Sequence, residues 1–261
     1  GWLVRNDFQA AIQGIHVVPQ LLLCILLADL MQYWTHRAYH EVPSLWKFHA
    51  VHHSAKTMDW LAGSRMHVLE LFVTRIAVLG PLFVFGFSKQ VMDLYIIIVG
   101  FQAVFNHANV HLPWGPLRHV LVTPDFHHWH HASDKEAIDK NYAAHYAFLD
   151  RLFGTDIKNP SRQFPAKYGV VGTHMPDGFV NQQLAPFKQL WKKATKKATS
   201  VAKVWVEPTG GACPTSHPVK AKISSKIFHL PGMANYERTN PDRCYADAAS
   251  AETDGLRAAK R

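Results

Sequence analysis

Ten of the eighteen histidines in this chain fall into four tight groups, His36/His40, His49/His52/His53, His107/His111 and His127/His130/His131, each member three or four residues from another. On a helix, positions i, i+3 and i+4 share one face, so each group can aim several imidazoles at one volume. Neutral imidazole binds iron, zinc and copper, and four groups offer more nitrogens than one tetrahedral ion can use. The spacing therefore predicts two metal ions. One such pair would be at home on an ordinary surface helix; four groups, two of them repeating His, two residues, His, His, are a different matter. His16, His119, His145 and His174 stand alone and read as structural or exposed residues, while His128 falls off the face its neighbours share.

The chain of 261 residues, 48% apolar and 12% aromatic, is long enough for a sizeable core and is not globally disordered. Its apolar residues concentrate in three runs, Ile12 to Trp34, Val68 to Phe87 and Val91 to Phe105. At ~1.5 Å rise per residue each run is about long enough to cross a hydrocarbon core of ~30 Å, which predicts three transmembrane helices. Arg75, Pro81 and Asp93 support the alternative of long buried helices in a soluble protein, because a charge inside a span costs roughly 3 kcal/mol unless it faces protein or snorkels.

With three spans and a tight hairpin between the second and third, all four histidine groups return to one membrane face. Arg37, Lys47, Lys56, Arg65 and Arg118 lie on that side against Lys89 on the other, so the positive-inside rule makes it the cytoplasmic face. The expected architecture is an all-α membrane protein with a helical cytoplasmic cap and a small C-terminal module. An odd span count places residue 1 opposite the cap; Gly1 in place of an initiator Met suggests a fragment, and no cleavable signal pattern is present. Between spans, Ser44 to Lys56 reads as a short amphipathic helix entered through Pro43, and Thr123-Pro124-Asp125 reads as a helix start.

His-Arg-Ala-Tyr-His at 36 to 40, Phe-His-Ala-Val-His-His at 48 to 53 and Phe-His-His-Trp-His-His at 126 to 131 resemble the histidine boxes of the fatty acid hydroxylase (sterol desaturase) superfamily of integral-membrane di-iron enzymes. Supporting stretches are similar too: Asp29 and Tyr33 before the first box, Met58 to Arg65 after the second, and Asn141-Tyr142 with Asp150 to Thr155 at the end. The resemblance covers about residues 10 to 158. It implies a catalytic domain over 1–158 and ligand roles for all ten boxed histidines. One departure is visible: Val68 stands where the family usually has proline, between His67 and Glu70, which implies an altered helix start with the metal set intact.

Breaking an unactivated C–H bond requires a redox metal that binds dioxygen, which iron can do and zinc cannot. The implied cofactors are two non-heme iron ions with O2. Outer imidazole nitrogens need polar partners, and Asp29, Glu70, Asn106, Asn109, Asp125 and Asn141 are candidates. Asp29 and Asn141 are the expected catalytic-site residues; Asp29, a carboxylate in a transmembrane helix two turns before His36, is the stronger of them, with helix packing near the interface as its other reading. The substrate is expected to be a long membrane lipid, a sterol, carotenoid or fatty acyl chain. By family resemblance the electrons come from a separate ferredoxin, rubredoxin or small cytochrome, since no flavin or nicotinamide fingerprint appears.

Past Gly154 the composition changes. Phe187 to Lys203 carries six lysines with Phe187, Leu190 and Trp191, the pattern of a basic helix on an anionic leaflet, or of a plainly solvated lysine-rich helix. The formal charge of +9 owes much to this stretch and argues for membrane contact over nucleic acid. Residues 159–218 read as a basic stretch and Pro/Gly linker, and 219–261 as a small module resembling the sunset domain, closed by a helix from Ala248 to Lys260. Three cysteines offer no disulfide framework and fit a reducing face. Cys213, His217, His229 and Cys244 could hold a zinc ion, though a metal-free tail is the default.

The expected activity is hydroxylation of a lipid with dioxygen and two electrons. A desaturase on the same site is the close alternative, since both begin by removing a hydrogen atom. A metal store or transporter would string ligands through the spans as a path, and a catalytically dead scaffold would have lost a box histidine.

Overall fold

A computed structural model describes residues 6–157, 163–172, 174–202 and 204–259, without the side chains of Asn6 and of 194–202. The chain divides into two compact units, Gly1–Gln189 and Leu190–Arg261.

The first unit is helical: α1 (Asn6–Gln13), α2 (Val17–Glu41), α3 (Pro43–His53), α4 (Val68–Phe85), α5 (Lys89–Asn106), α6 (Pro124–His130), α7 (Phe148–Leu152) and the start of α8 (Phe179–Ala202), with 3-10 turns at Trp60–Ser64 and Gly115–His119. Helix α2 is long and apolar, and so is α4; both satisfy the length and composition needed to cross a membrane. The expected third span, α5, is as long as α4 but carries Lys89, Gln90, Asp93, Gln102 and Asn106, and it does not meet the same criterion.

Cys24, Ile25 and Ala28 of α2 pack against Val78 and Leu82 of α4 and against Val91, Met92 and Tyr95 of α5, forming the core of this helix trio. Gln20 fixes one end of it. Its buried amide nitrogen donates to Ile12 O and Ile15 O at 2.9 and 3.0 Å, and its oxygen accepts from Ser88 N at 2.8 Å. The start of α2 is thereby tied to the α4–α5 turn, where Gly86 adopts the left-handed φ of 79° that closes α4. The opposite end of the trio, where α2 finishes, α4 begins and α5 finishes, carries the histidines. The missing proline at Val68 is compensated there: the His67 ring caps α4, its Nδ1 accepting from Leu69 N at 3.0 Å.

The second unit departs from the all-α expectation. Strands β1 (Trp205–Val206), β2 (Val219–Lys222), β3 (Ile227–His229), β4 (Arg243–Tyr245) and β5 (Arg257–Ala258) form one sheet in the order β1-β4-β2-β3-β5, antiparallel except for β3 beside β5. Val219 and Ala221 alternate inward, with Phe228 and Tyr245 opposite, and α9 (Ala248–Thr253) covers them through Ala251. The helix expected to reach Lys260 stops at Thr253 because Gly255 turns the chain at φ 83°, and it returns as β5. Cys213 and Cys244 form a disulfide, with Cα atoms 5.5 Å apart, which corrects the expectation of unpaired cysteines and removes both thiols from any zinc site. The expected linker thus belongs to this unit through β1 and Cys213. Of the basic helix, Lys196, Lys197 and Lys203 lie outside the described side chains or residues.

Candidate metal centre

Nine of the ten boxed histidines converge. His36, His40, His49, His53 and His130 form one group and His52, His107, His127 and His131 a second, the nitrogens within each lying within 4.8 Å of one another. Helical spacing explains the sorting. His36 and His40 are one turn apart on α2, as are His49 and His53 on α3, while His52 leaves α3 on a neighbouring bearing and joins the other group. In the same way His127 and His131 serve the second group and His130 the first. The groups adjoin: the His53 and His131 rings stack with centroids 4.2 Å apart.

The outer nitrogens are held from outside. His36 Nδ1 donates to Tyr142 O at 2.7 Å, His52 Nδ1 to Arg65 O at 2.9 Å, His107 Nδ1 to Ala103 O at 2.7 Å and His130 Nδ1 to Lys140 O at 2.7 Å. His49 Nδ1 donates to Glu70 Oε1 at 2.7 Å. A carbonyl only accepts, and so does the ionised Glu70 carboxylate, so each of these rings keeps its proton on Nδ1 and presents a bare Nε2 lone pair inward. Burial holds His49 and His107 down to a pKa of about 3 and His52 to about 4, so no second proton is available.

Those bare nitrogens nevertheless face each other. His36 Nε2 is 3.0 Å from His49 Nε2, and His107 Nε2 is 3.3 Å from His52 Nε2. With both protons committed elsewhere, neither contact is a hydrogen bond: two lone pairs point at one space. His130 Nε2 is likewise buried with no partner. A soft-to-borderline cation accepting these nitrogens resolves each clash, so the donor set fits two metal ions.

The segment that supplies two of the carbonyls is positioned by carboxylates. Asp29 accepts from the backbone N–H of Ala144, His145 and Tyr146 at 2.9, 3.1 and 2.6 Å, and Asp150 accepts from Tyr142 N and Ala143 N at 2.7 and 2.8 Å. Asn141, at φ 58°, donates to Phe126 O at 3.0 Å and accepts from Ile157 N at 2.9 Å. Asp29 and Asn141 therefore act on the backbone and touch no boxed ring. Asn106 and Asn109 also bind backbone, at Ala144 O and Met58 O.

His111 is the histidine left out. It is exposed and stacks on Phe164 at 3.9 Å between centroids, because α5 ends at Asn106 and one-turn spacing has no meaning past a helix end. His128 points away as expected, with Nδ1 on the Tyr168 hydroxyl at 2.8 Å. Gly63, whose type carries no chemical signal in the sequence, is a further residue of the site. A Cβ there would lie 2.8 Å from Ala103 O and 3.1 Å from His107 Nδ1, so only glycine admits the His107 hydrogen bond.

Two cavities flank the cluster. One of about 150 Å³ runs among α2, α4 and α5 and touches His36, His49, His52, His107 and His127. Another of about 210 Å³ lies beside His40, His53 and His130, where Asp139 Oδ1 is 3.2 Å from His40 Nδ1.

A helical unit with two apolar helices of spanning length and a buried, doubly grouped histidine cluster defines a membrane-associated metalloprotein of the histidine-box kind. The sequence model of the fatty acid hydroxylase family matches residues 21–155, and the chain belongs to that family. Among curated proteins it is 31% identical over 175 residues to ornithine lipid hydroxylase OlsE of Rhizobium tropici, covering 67% of this chain and 52% of that one. It is 33% identical to human alkylglycerol monooxygenase over 49% of this chain and 28% of that one. A very-long-chain aldehyde decarbonylase of Oryza sativa subsp. japonica is 32% identical over 54% of this chain and 53% of that one. The chain thus spans about half the length of the first and third and under a third of the second. Residues 199–258 match a family model described as ArfC, which gives the expected likeness to a sunset module no support. No solved structure matches.

Proposed function

We propose that this chain is a membrane-bound non-heme di-iron oxygenase that hydroxylates a lipid. The observation that carries the reading is the pair of adjoining all-histidine groups whose inward lone pairs face one another without protons. His36, His40, His49, His53 and His130 would hold one iron, and His52, His107, His127 and His131 the other. Bound iron would supply what the side chains lack, activation of dioxygen with two external electrons and two protons, so that one oxygen atom enters a C–H bond and the other leaves as water. The chain's own residues orient and exclude: Glu70 and four backbone carbonyls fix the ring tautomers, while Asp29 and Asn141 are positioning residues for the segment behind them.

Lipid chemistry is supported by the relatives, whose names specify an ornithine lipid, an alkylglycerol and a very-long-chain aldehyde. Sterol, fatty acyl and carotenoid substrates remain within that class, and desaturation on the same site is the second reading. A ferredoxin, rubredoxin or small cytochrome would deliver the electrons. Three spans, with α5 as the third, are supported by its exposed Ile96, Ile97, Phe101 and Val104. We assign a catalytic domain to 1–158 and read 219–261, together with β1 and Cys213 from the 159–218 stretch before it, as a small sunset-like module. The metal centre is assigned to the cytoplasmic face on its excess of lysine and arginine. Thiol labelling of Lys56→Cys from either side of sealed vesicles decides the face.

The deciding experiment is anaerobic purification, iron counting, and addition of dioxygen and reductant in membranes. The expected result is two irons per chain and a lipid gaining one oxygen atom; loss of two hydrogens instead identifies the desaturase. His49→Ala or His130→Ala should lose the iron of the first group and abolish product, and retention of two irons by both variants overturns the assignment.

A further inference from the structure

The cavity between α2, α4 and α5 is formed by one stripe from each helix. Gln32, His36 and Tyr39 on α2, Leu71, Thr74 and Arg75 on α4, and Tyr95, Val99 and Gln102 on α5 follow the three-to-four-residue period of a helix face. At about 150 Å³ it is smaller than a site for a whole drug-sized molecule, so it admits the reacting stretch of a lipid and leaves the remainder in the bilayer. It reaches the surface along α4 and α5, where Leu71, Arg75 and Ala103 line it and are exposed.

Arg75 is out of place in an apolar helix of spanning length. A guanidinium there is costly and calls for a partner. Among the described residues Arg75 makes no hydrogen bond and no ion pair. Glu70, one and a half turns earlier on α4 and the acid on the cavity wall, accepts from His49 through Oε1 and makes no ion pair with Arg75. Five residues at ~1.5 Å rise place Arg75 about 7.5 Å below Glu70 along the helix, which is deeper in the membrane than the histidines. Further polar side chains line the cavity from all three helices, among them Gln32 on α2, Thr74 on α4, and Tyr95 and Gln102 on α5.

We propose that Arg75 is the anchor for an oxyanion of the lipid substrate, a carboxylate or a phosphate, at the mouth of this cavity. The proposal rests on the lipid-oxygenase reading and narrows it to anionic lipids. Guanidinium presents a planar fork of N–H donors that matches either oxyanion in bidentate fashion. An anion held a helix turn or so from the histidines places the reacting carbon near the polar part of the lipid and not far along its tail.

The test uses the full chain in phosphatidylcholine vesicles carrying photoreactive diazirine analogues of palmitic acid, hexadecyl phosphate or hexadecanol, with cross-links mapped by mass spectrometry. Labelling needs no iron and no turnover, so its outcome is separate from iron content and product formation, which test the oxygenase reading. Wild type should be labelled on α4 and α5 by at least one anionic probe about tenfold more than by hexadecanol. The preferred anion, carboxylate or phosphate, identifies the headgroup chemistry. Arg75→Gln should lose that preference and Arg75→Lys should keep most of it. Equal labelling by hexadecanol in wild type, or an unchanged preference in Arg75→Gln, overturns the proposal; the wild-type comparison stands even if the glutamine variant does not fold.

Discussion

Glu70 accepts the Nδ1 proton of His49 at 2.7 Å, and its second oxygen, Oε2, is buried without a hydrogen-bond partner. The carboxylate is therefore committed to one task, fixing the His49 ring with its Nε2 turned inward. Carboxylate partners of this kind typically contribute 10–100-fold to metal affinity. Glu70→Ala should lose roughly that factor in an iron competition titration. Glu70→Gln, which keeps an acceptor oxygen for the same proton, should lose less. Wild-type affinity in the alanine variant would show that the carboxylate does not orient His49.

His111 and His107 provide a matched pair, four residues apart in sequence and differently placed. His107 is buried with Nδ1 on Ala103 O, while His111 is exposed against Phe164. His111→Ala should retain the wild-type iron content and His107→Ala should lose the iron of the second group. Loss of iron in both variants would mean that the loop after α5 closes on the centre in solution.

Gly63 is predicted to be as critical as a ligand, although it binds nothing. A methyl group there meets the Ala103 carbonyl at 2.8 Å, and backbone cannot move aside as a side chain can. Gly63→Ala should displace His107 and lower iron from two per chain towards one, with the group built on His36 and His49 spared. Elemental analysis of the purified variant reads this directly.

Which parts of this were legible in the sequence follows from the range of the forces involved. The groups on α2, α3 and α6 were legible because helical periodicity is local, and one turn of spacing fixes a shared face. It failed at His111 because the sequence signal does not show that α5 stops at Asn106. The carbonyls of Arg65, Ala103, Lys140 and Tyr142 were invisible for a different reason: every residue has one, and only tertiary packing selects which are aimed at a ring. Asp29 was found as a carboxylate in need of a partner, yet that partner proved to be a backbone segment more than a hundred residues away. The sheet of the second unit escaped because its strands have two to four residues, too few for alternation to register. The cysteine pair, separated by 31 residues, is joined only once that sheet exists.

Acid should destabilise the metal-free protein, and the sign follows from burial. His49, His52 and His107 have pKa values held down to about 3, 4 and 3, from the 6.5 of an exposed imidazole, chiefly because burial disfavours the charged ring. Below about pH 6.5 the unfolded chain takes up protons that the folded one refuses, so stability falls as pH drops and goes on falling until the folded pKa values are reached. Each such ring can contribute up to about 1.4 kcal/mol per pH unit across that window, and none above it. Thermal unfolding in chelator should therefore be flat above about pH 7.5 and decline steadily from about pH 6.5 to about pH 5. Bound iron should raise the whole curve, because it binds the folded rings, which stay unprotonated across this range, and not the unfolded chain. A metal-free protein equally stable at both ends of that range would show that these rings are not buried as neutral imidazoles, and that the two facing pairs of Nε2 atoms are not bare.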